Sequence, residues 1–284
     1  MDWQTVSLGL QQLQNSSQPR KTLSALVGNL DLFLSTLRAE GMDFKEERER
    51  ISLVQTQGYG RYTLSWRLGC AVHYSPTCPS TNLLAREFLS EGPFVLVANE
   101  QTEGRGRMGR SWESEAGKNI LCSFILRPPV RAQNAARCSL LWAAAIAAAL
   151  DLFVKWPNDL VTKDGKKVGG ILVELVDDTP TLILGLGLNV SQTDFPGLPQ
   201  ATSLALEDRV YDRAALLGKI YRTLVGVDLE QNLDSWRGRA LHMGQLVQVN
   251  EKKGVFTGIR EDGALLIDGT PVLAGDVNLV EGRP

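Results

Sequence analysis

Residues 104–112 read Gly-Arg-Gly-Arg-Met-Gly-Arg-Ser-Trp. Three glycines and three arginines fall within the first seven of these positions. Such a run favours neither helix nor strand and is expected as a loop. Glycine lets the backbone come close to a ligand. Each guanidinium offers donors in a fixed fork that suits phosphate or carboxylate oxygens. Trp112 could anchor the loop once it closes. Alone, the run fits an anion-binding loop about as well as the two other readings together, a solvated basic loop or an RNA-binding arginine–glycine tract. It has little apolar surface with which to hold itself in place.

Further blocks bear on the choice. Lys155-Trp156-Pro157-Asn158-Asp159-Leu160 overlaps the end of a predicted strand. Asn158 and Asp159 are turn formers, and Asp159 is read as structural. Lys155, at the strand end beside that turn, is expected to project its charge into a cleft. Lys167-Val168-Gly169-Gly170-Ile171-Leu172-Val173-Glu174 puts paired glycines ahead of a buried strand, and Glu174 reads as a satisfied carboxylate. Gly185-Leu186-Gly187-Leu188-Asn189 places two glycines in a strand, a mark of close approach by a ligand or another backbone. Ser80-Thr81-Asn82 precedes a helical stretch and reads first as an N-cap, a role compatible with ligand binding.

In combination these blocks resemble the biotin protein ligases, over residues 72–284. The family pattern GRGRxGRxW stands at 104–112, KWPNDL at 155–160, GILVE at 170–174 and GxGxN at 185–189, with STN at 80–82 and Gln101 upstream. The resemblance implies an α+β catalytic domain with a mixed sheet like that of class II aminoacyl-tRNA synthetases, followed by an SH3-like β-barrel. It implies an enzyme that uses ATP and Mg2+ to form biotinyl-5′-adenylate. The biotin then passes to a lysine of a biotin carboxyl carrier protein, a subunit of acetyl-CoA carboxylase. Two anions must meet, so fixed positive charge is required. The family pattern assigns it to Arg107 and Lys155. Contacts to biotin or the adenylate fall to Ser80, Thr81, Asn82, Gln101, Gly104, Arg105, Gly106, Arg107, Trp112, Lys155, Gly169, Gly170, Gly187 and Asn189. No metal-ligating residues are expected, and a homodimer is implied. Lipoate ligases share the fold and the adenylate chemistry, but the glycine–arginine loop argues against that assignment. The last strand departs from the family: where members carry an arginine, this chain has Asn278-Leu279-Val280, with Arg283 beyond.

These blocks need elements to position them. Residues 1–66 show helical spacing around Leu8, Leu10 and Leu13, around Leu23, Leu26 and Val27, and from Leu30 to Leu37. A hairpin of 51–54 with 59–64 around Gly58 is expected to follow, the order of a winged helix-turn-helix. Some relatives with such a domain repress their own biotin genes. Here the candidate recognition helix, 30–38, carries Asp31 and one arginine, and the run 45–50 is mixed in sign. DNA affinity draws on phosphate neutralisation, so weak DNA binding is expected. Residues 67–238 suggest strands at 94–98, 120–126, 153–155, 170–175 and 182–188, with helices at 82–89, 138–150 and 213–232. That order argues for a mixed sheet covered mainly on one face. Residues 239–284 are strand and turn. Asp262-Gly263 and Asp268-Gly269 signal hairpins of a small barrel of about five strands.

The net charge of -2 over 284 residues gives no global basic field for nucleic acid. Cys70, Cys78, Cys122 and Cys138 are widely spaced, and His73 and His242 are the only imidazoles, so a structural zinc site is not expected. A cytoplasmic chain with reduced thiols is the expectation. Met1-Asp2-Trp3-Gln4 does not open a secretory leader. The longest apolar run, 140–150, is too short to span a bilayer.

Overall fold

Asp2 starts the first helix by accepting the Thr5 N–H, and α1 runs over Trp3–Asn15. The computed structural model describes residues 2–56, 58–128, 135–176, 179 and 181–280; Arg283 lies outside them. α2 (Arg20–Val27) stops at Gly28, whose φ of +74° suits glycine. α3 (Leu30–Ala39) starts where Asn29 caps Leu32. Leu10, Leu23, Phe33, Leu34 and Leu37 point inward and build a core with Met42 and Ile51. β2 (Met42–Glu47) and β3 (Arg50–Thr56) pair antiparallel, and β1 (Gln18–Pro19) joins the other side of β3.

The hairpin therefore lies one strand earlier than the sequence suggests. Residues 51–54 are strand, but their partner is β2 rather than 59–64. Arg48 and Glu49 make the turn with φ of 47° and 60°. Turns with two positive φ values normally signal themselves by Asn or Gly, and here neither is present. Residues Arg61–Leu68 form a helix, α4, instead of a strand. Glu40 caps it from outside. Its carboxylate accepts the N–H groups of Tyr62 and Thr63 at 2.9 and 2.7 Å, and the Thr63 hydroxyl at 2.8 Å. Leu64 and Leu68, one helical turn apart, are buried. Tertiary packing thus overrides the strand-like composition of Tyr62-Thr63-Leu64. The boundary expected between 66 and 67 falls inside α4, which packs against both α1 and α7 (Arg213–Val225).

The large sheet has seven strands: β4 (Val72–Cys78), β5 (Phe94–Gln101), β6 (Ile120–Leu126), β7 (Phe153–Lys155), β8 (Asp159–Val161), β9 (Lys167–Leu175) and β10 (Leu182–Leu188). Their order is β4-β5-β6-β10-β9-β8-β7. Only β4 and β5 run parallel, so the sheet is mixed as expected. One face stacks Cys122, Leu186 and Ile171 across adjacent strands. α6 (Ala135–Ala149) and α7 share this buried core. α7 ends at Gly226, short of the expected 232, and α8 (Asp234–Arg237) follows. The other face carries Ser123, Gly185 and Leu172 in one row and Gly187, Gly170 and Asp159 in the next. Above it lies α5 (Thr81–Ala85), continued by a 3-10 turn over Arg86–Glu91.

The C-terminal sheet has five strands in the order β14-β13-β12-β11-β15. They span β11 (Leu246–Val249), β12 (Lys252–Ile259), β13 (Leu265–Ile267), β14 (Thr270–Val272) and β15 (Asn278–Leu279). Val247, Phe256 and Leu265 join the same core as the large sheet. The buried Trp156 indole donates to the Gly263 carbonyl at 3.0 Å. Arg137, at the start of α6, pairs with Glu261 at 3.0 Å. The C-terminal sheet is thereby fastened beside the 155–160 block. Among the described residues no helix is long and apolar enough to cross a membrane.

Candidate functional site

The open face of β9 and β10 forms the floor of a cavity of about 340 Å3, within the usual range for small-molecule sites. Its inner end is built on the start of α5. Ser80 occupies the N-cap position with no side-chain bond to the helix. Gln101 Oε1 does that work, accepting from Thr81 N at 2.7 Å and Thr81 Oγ1 at 3.0 Å. The Ser80 hydroxyl is thus not consumed by capping, and the residue is buried against the cavity. Asn82 is held on both sides. Its amide donates to Glu174 Oε2 at 2.6 Å, and its Oδ1 accepts from Ser123 Oγ at 2.6 Å. Glu174, also within 3.5 Å of Arg86, is therefore a satisfied carboxylate. A Cβ at Gly185 would stand 2.4 Å from Asn82 Oδ1, so that close approach needs glycine.

The outer end carries positive charge. Arg105, Arg107, Arg110 and Lys167 all line it. The glycine–arginine loop is folded back on itself as a narrow ribbon. Trp112 N donates to Gly104 O at 2.8 Å, Gly106 N to Arg110 O at 2.7 Å, and Arg105 bridges Ser111. The Trp112 indole lies flush on the sheet: a Cβ at Gly187 would come within 2.4 Å of its ring. Burial lowers the Arg107 pKa from its ordinary value. Nearby Arg110 acts in the same direction, while Asp159 and Asp276 oppose it.

Lys167 opens β9 with its ammonium 2.7 Å from Asp159 Oδ1 and 5.6 Å from the Trp112 ring centre. Its backbone is clamped as well: Lys167 N donates to Gln200 O at 2.6 Å, and its carbonyl accepts from Thr202 N at 2.8 Å. The β8–β9 register shifts between Leu160 and Val161, and irregularities of this kind re-aim side chains.

Of the residues expected here, Ser80, Thr81, Asn82, Gln101, Arg105, Gly106, Arg107, Trp112, Gly170, Gly187 and Asn189 line the cavity. Gly104 and Gly169 do not; they serve close backbone packing. A Cβ at Gly104 would meet Trp112 O at 2.4 Å, and one at Gly169 would meet Gly187 O at 2.8 Å. Lys155 is not among the lining residues either. The register pairs Lys155 with Asp159, and Asp159 with Gly170. Lys155, Asp159, Gly170 and Gly187 thus form one row on the cavity's face of the sheet, with Lys155 on the edge strand about 5 Å beyond Asp159. The lysine that lines the wall is Lys167. Arg110, within the glycine–arginine loop, lines it too, and sequence reasoning missed the stretch 195–201, which contributes Phe195, Leu198 and Pro199. A strand-initial lysine beside paired glycines was the available signal for Lys167. Among the described residues no group of three or more His, Cys, Asp or Glu converges.

A fixed polar cradle at one end and clustered cations at the other suit a small neutral ring system with an anionic tail, together with a second anion. The sequence pattern of the Biotin/lipoate A/B protein ligase family matches residues 72–190. The chain is 35% identical over 219 residues to the bifunctional ligase/repressor BirA of Bacillus spizizenii, covering 68% of this chain and 67% of that protein. It is 34% identical over 209 residues to the biotin--[acetyl-CoA-carboxylase] ligase of Mycobacterium tuberculosis, covering 64% of this chain and 77% of that protein. Among solved structures, the biotin protein ligase of Aquifex aeolicus in complex with biotin and ATP superposes with a TM-score of 0.64 at 29% identity. That match covers 74% of this chain and 99% of the other.

The contact between Trp112 and Gly187 yields a direct test. Gly187→Ala should destabilise the ligand-free protein by about 1–3 kcal/mol, the usual range for over-packing. It should also alter the near-ultraviolet circular dichroism as the indole is displaced. An unchanged urea midpoint and an unchanged spectrum would contradict the contact.

Proposed function

The chain belongs to the biotin protein ligase family, and from that premise we propose the chemistry of its cavity. The enzyme activates biotin with ATP to give biotinyl-5′-adenylate, then transfers biotin to a lysine of the biotin carboxyl carrier protein of acetyl-CoA carboxylase. One observation carries this reading: Arg107 and Lys167 flank one end of a cavity whose other end is a pinned polar cradle.

In the first step a biotin carboxylate oxygen attacks the α-phosphorus of ATP, the bond to the β-phosphate oxygen breaks, and pyrophosphate leaves. In the second the neutral lysine amine attacks the acyl carbon, the bond to the phosphate oxygen breaks, and AMP leaves. Both anions in the first step repel each other until cations stand between them. Arg107 and Lys167 supply that charge on this reading, with Lys155 behind them in the same row of the sheet. Asp159 holds the Lys167 ammonium in position. Ser80, Thr81 and Gln101 offer hydroxyl and amide groups to the ureido ring. Asn189 Oδ1 is buried with no hydrogen-bond partner and offers an acceptor to the exocyclic amine of adenine. Magnesium arrives on the triphosphate as part of the nucleotide substrate.

The domain reading is proposed in the same way. Residues 1–66 form a winged-helix-like unit, 67–238 a catalytic unit of the class II synthetase type, with α4 shared across their boundary, and 239–284 an SH3-like barrel. The helix order and the β2–β3 hairpin support the first, and the five short strands support the last. A homodimer completes the assembly. The free thiols of Cys70, Cys78, Cys122 and Cys138 suit the cytoplasm.

The name of the Bacillus relative favours a second reading, a ligase that is also a biotin-responsive repressor. Charge opposes it. Arg20 pairs with Asp31 and Glu46, and Arg38 pairs with Glu46 at 2.9 Å. The arginines nearest the candidate recognition helix are thus neutralised within the unit.

ATP–pyrophosphate exchange should require biotin and magnesium and stay at background with lipoate; exchange with lipoate but not biotin would contradict the assignment. In an anisotropy titration with the protein's own upstream DNA, biotinyl-adenylate should produce little preference over random duplex. A preference of about 10³-fold or more, the low end for specific regulators, would restore the repressor reading.

A further inference from the structure

We propose that Asp276, on the C-terminal sheet's last connection, is a positioning residue that latches the glycine–arginine loop over the cavity. Its two carboxylate oxygens accept from Arg110 Nη1 at 3.0 Å and Nη2 at 3.1 Å. This is the paired, parallel geometry that gives arginine–carboxylate contacts their directional hold. The contact ties a loop residue to one 166 positions away in the chain.

Both ends of the latch are fixed by their own surroundings. Asp276 sits between Gly275 and the buried Val277. Gly275 has a φ of +138°, and a Cβ there would stand 2.6 Å from Val249 Cγ1, so the backbone before Asp276 tolerates only glycine. One residue earlier, the Ala274 carbonyl accepts from Asn250 Nδ2 at 3.0 Å. On the loop side, Arg110 N donates to Arg107 O at 3.2 Å, and Arg110 O accepts from Gly106 N at 2.7 Å. Holding Arg110 therefore holds the turn that carries Arg107. The remaining tip cannot hold itself. Met108 is 70% exposed, and Gly109 has a φ of +73°. Asp276 also lies close enough to Arg107 to favour its charge against burial and against Arg110.

The ion pair is half exposed, with side chains 52% and 46% accessible. Its effect is accordingly modest and sensitive to salt. The latch sets how often the loop opens rather than whether the fold holds. The inference that it governs adenylate release rests on the ligase reading; the inference that it closes the loop does not.

Two arms separate these. In the first, ligand-free protein is digested with an arginine-specific protease. Asp276→Asn should be cut within 104–110 about two- to fivefold faster than the unchanged protein, the factor for an exposed ion pair. Asp276→Glu should restore most of the protection, and the thermal midpoint should hold in both. Raising sodium chloride should speed cutting of the unchanged protein towards the Asp276→Asn rate and leave that variant nearly level. In the second arm, protein loaded with biotinyl-adenylate is chased with excess unlabelled ligand, and Asp276→Asn should release it faster by a similar factor. Equal cutting of Asp276→Asn and the unchanged protein would overturn the latch. So would faster cutting throughout the chain with a lowered thermal midpoint, since the residue would then serve the fold. Faster cutting with an unchanged release rate would overturn its role in retention. Failure of the unchanged protein to form adenylate would sink the ligase reading, while the protease arm would still decide the latch.

Discussion

Lys167 and Asp159 face each other at 2.7 Å on the wall of a cavity that also holds three arginines. Gathering four cations at a half-buried site is unfavourable while no anion is bound, because each disfavours the charge of the next. Asp159 and Asp276 offset this at two points, one on the sheet and one on the C-terminal unit. They hold Lys167 and Arg110 in place before any ligand arrives. Electrostatic catalysis depends on that order of events, since donors already in position need no reorganisation when charge develops.

The sheet makes room for this arrangement by leaving side chains out. Gly185 yields its space to Asn82 and Gly187 to the Trp112 indole. A strand glycine costs about 0.5–1 kcal/mol relative to alanine, and here neighbouring side chains pack into the space it leaves. Trp112 then joins the loop to the floor, while Asn82 joins α5 to Glu174 on β9. The polar cradle and the charged end are thus two consequences of one pattern of glycines across β9 and β10. The C-terminal sheet is part of the same unit. Trp156, within the block that leads into Asp159, bonds the turn at Gly263.

Much of this was legible in the sequence. β6, β7 and β10 have the bounds expected from the sequence, because strands covered by helices on one face and by ligand-site elements on the other read as largely hydrophobic stretches. The Gly-Arg loop and the Ser80-Thr81-Asn82 turn announced themselves by composition. Lys167 did not, because its aim depends on a register shift that no periodicity reveals. Lys155, read from a strand end beside a turn, lies on the cavity's face of the sheet, one strand beyond Asp159. The turn at Arg48 and Glu49 lacks the residues that positive φ normally selects. α4 is a helix because Glu40, twenty-odd positions away, caps it. Each of these misses is a tertiary contact or an irregularity that local sequence does not encode.

The identity of the cation on the cavity wall is the point on which the chemistry turns. Single-turnover formation of biotinyl-adenylate at saturating biotin and MgATP, in Lys167→Ala and Lys155→Ala side by side, tests it most directly. The expected result is a fall of about 10²- to 10³-fold for Lys167→Ala, the usual loss when one preorganised donor is removed. Lys155→Ala should lose less, since Lys155 stands on the same face one strand further out. A large loss in Lys155→Ala with an unimpaired Lys167→Ala would contradict the assignment of charge to Lys167.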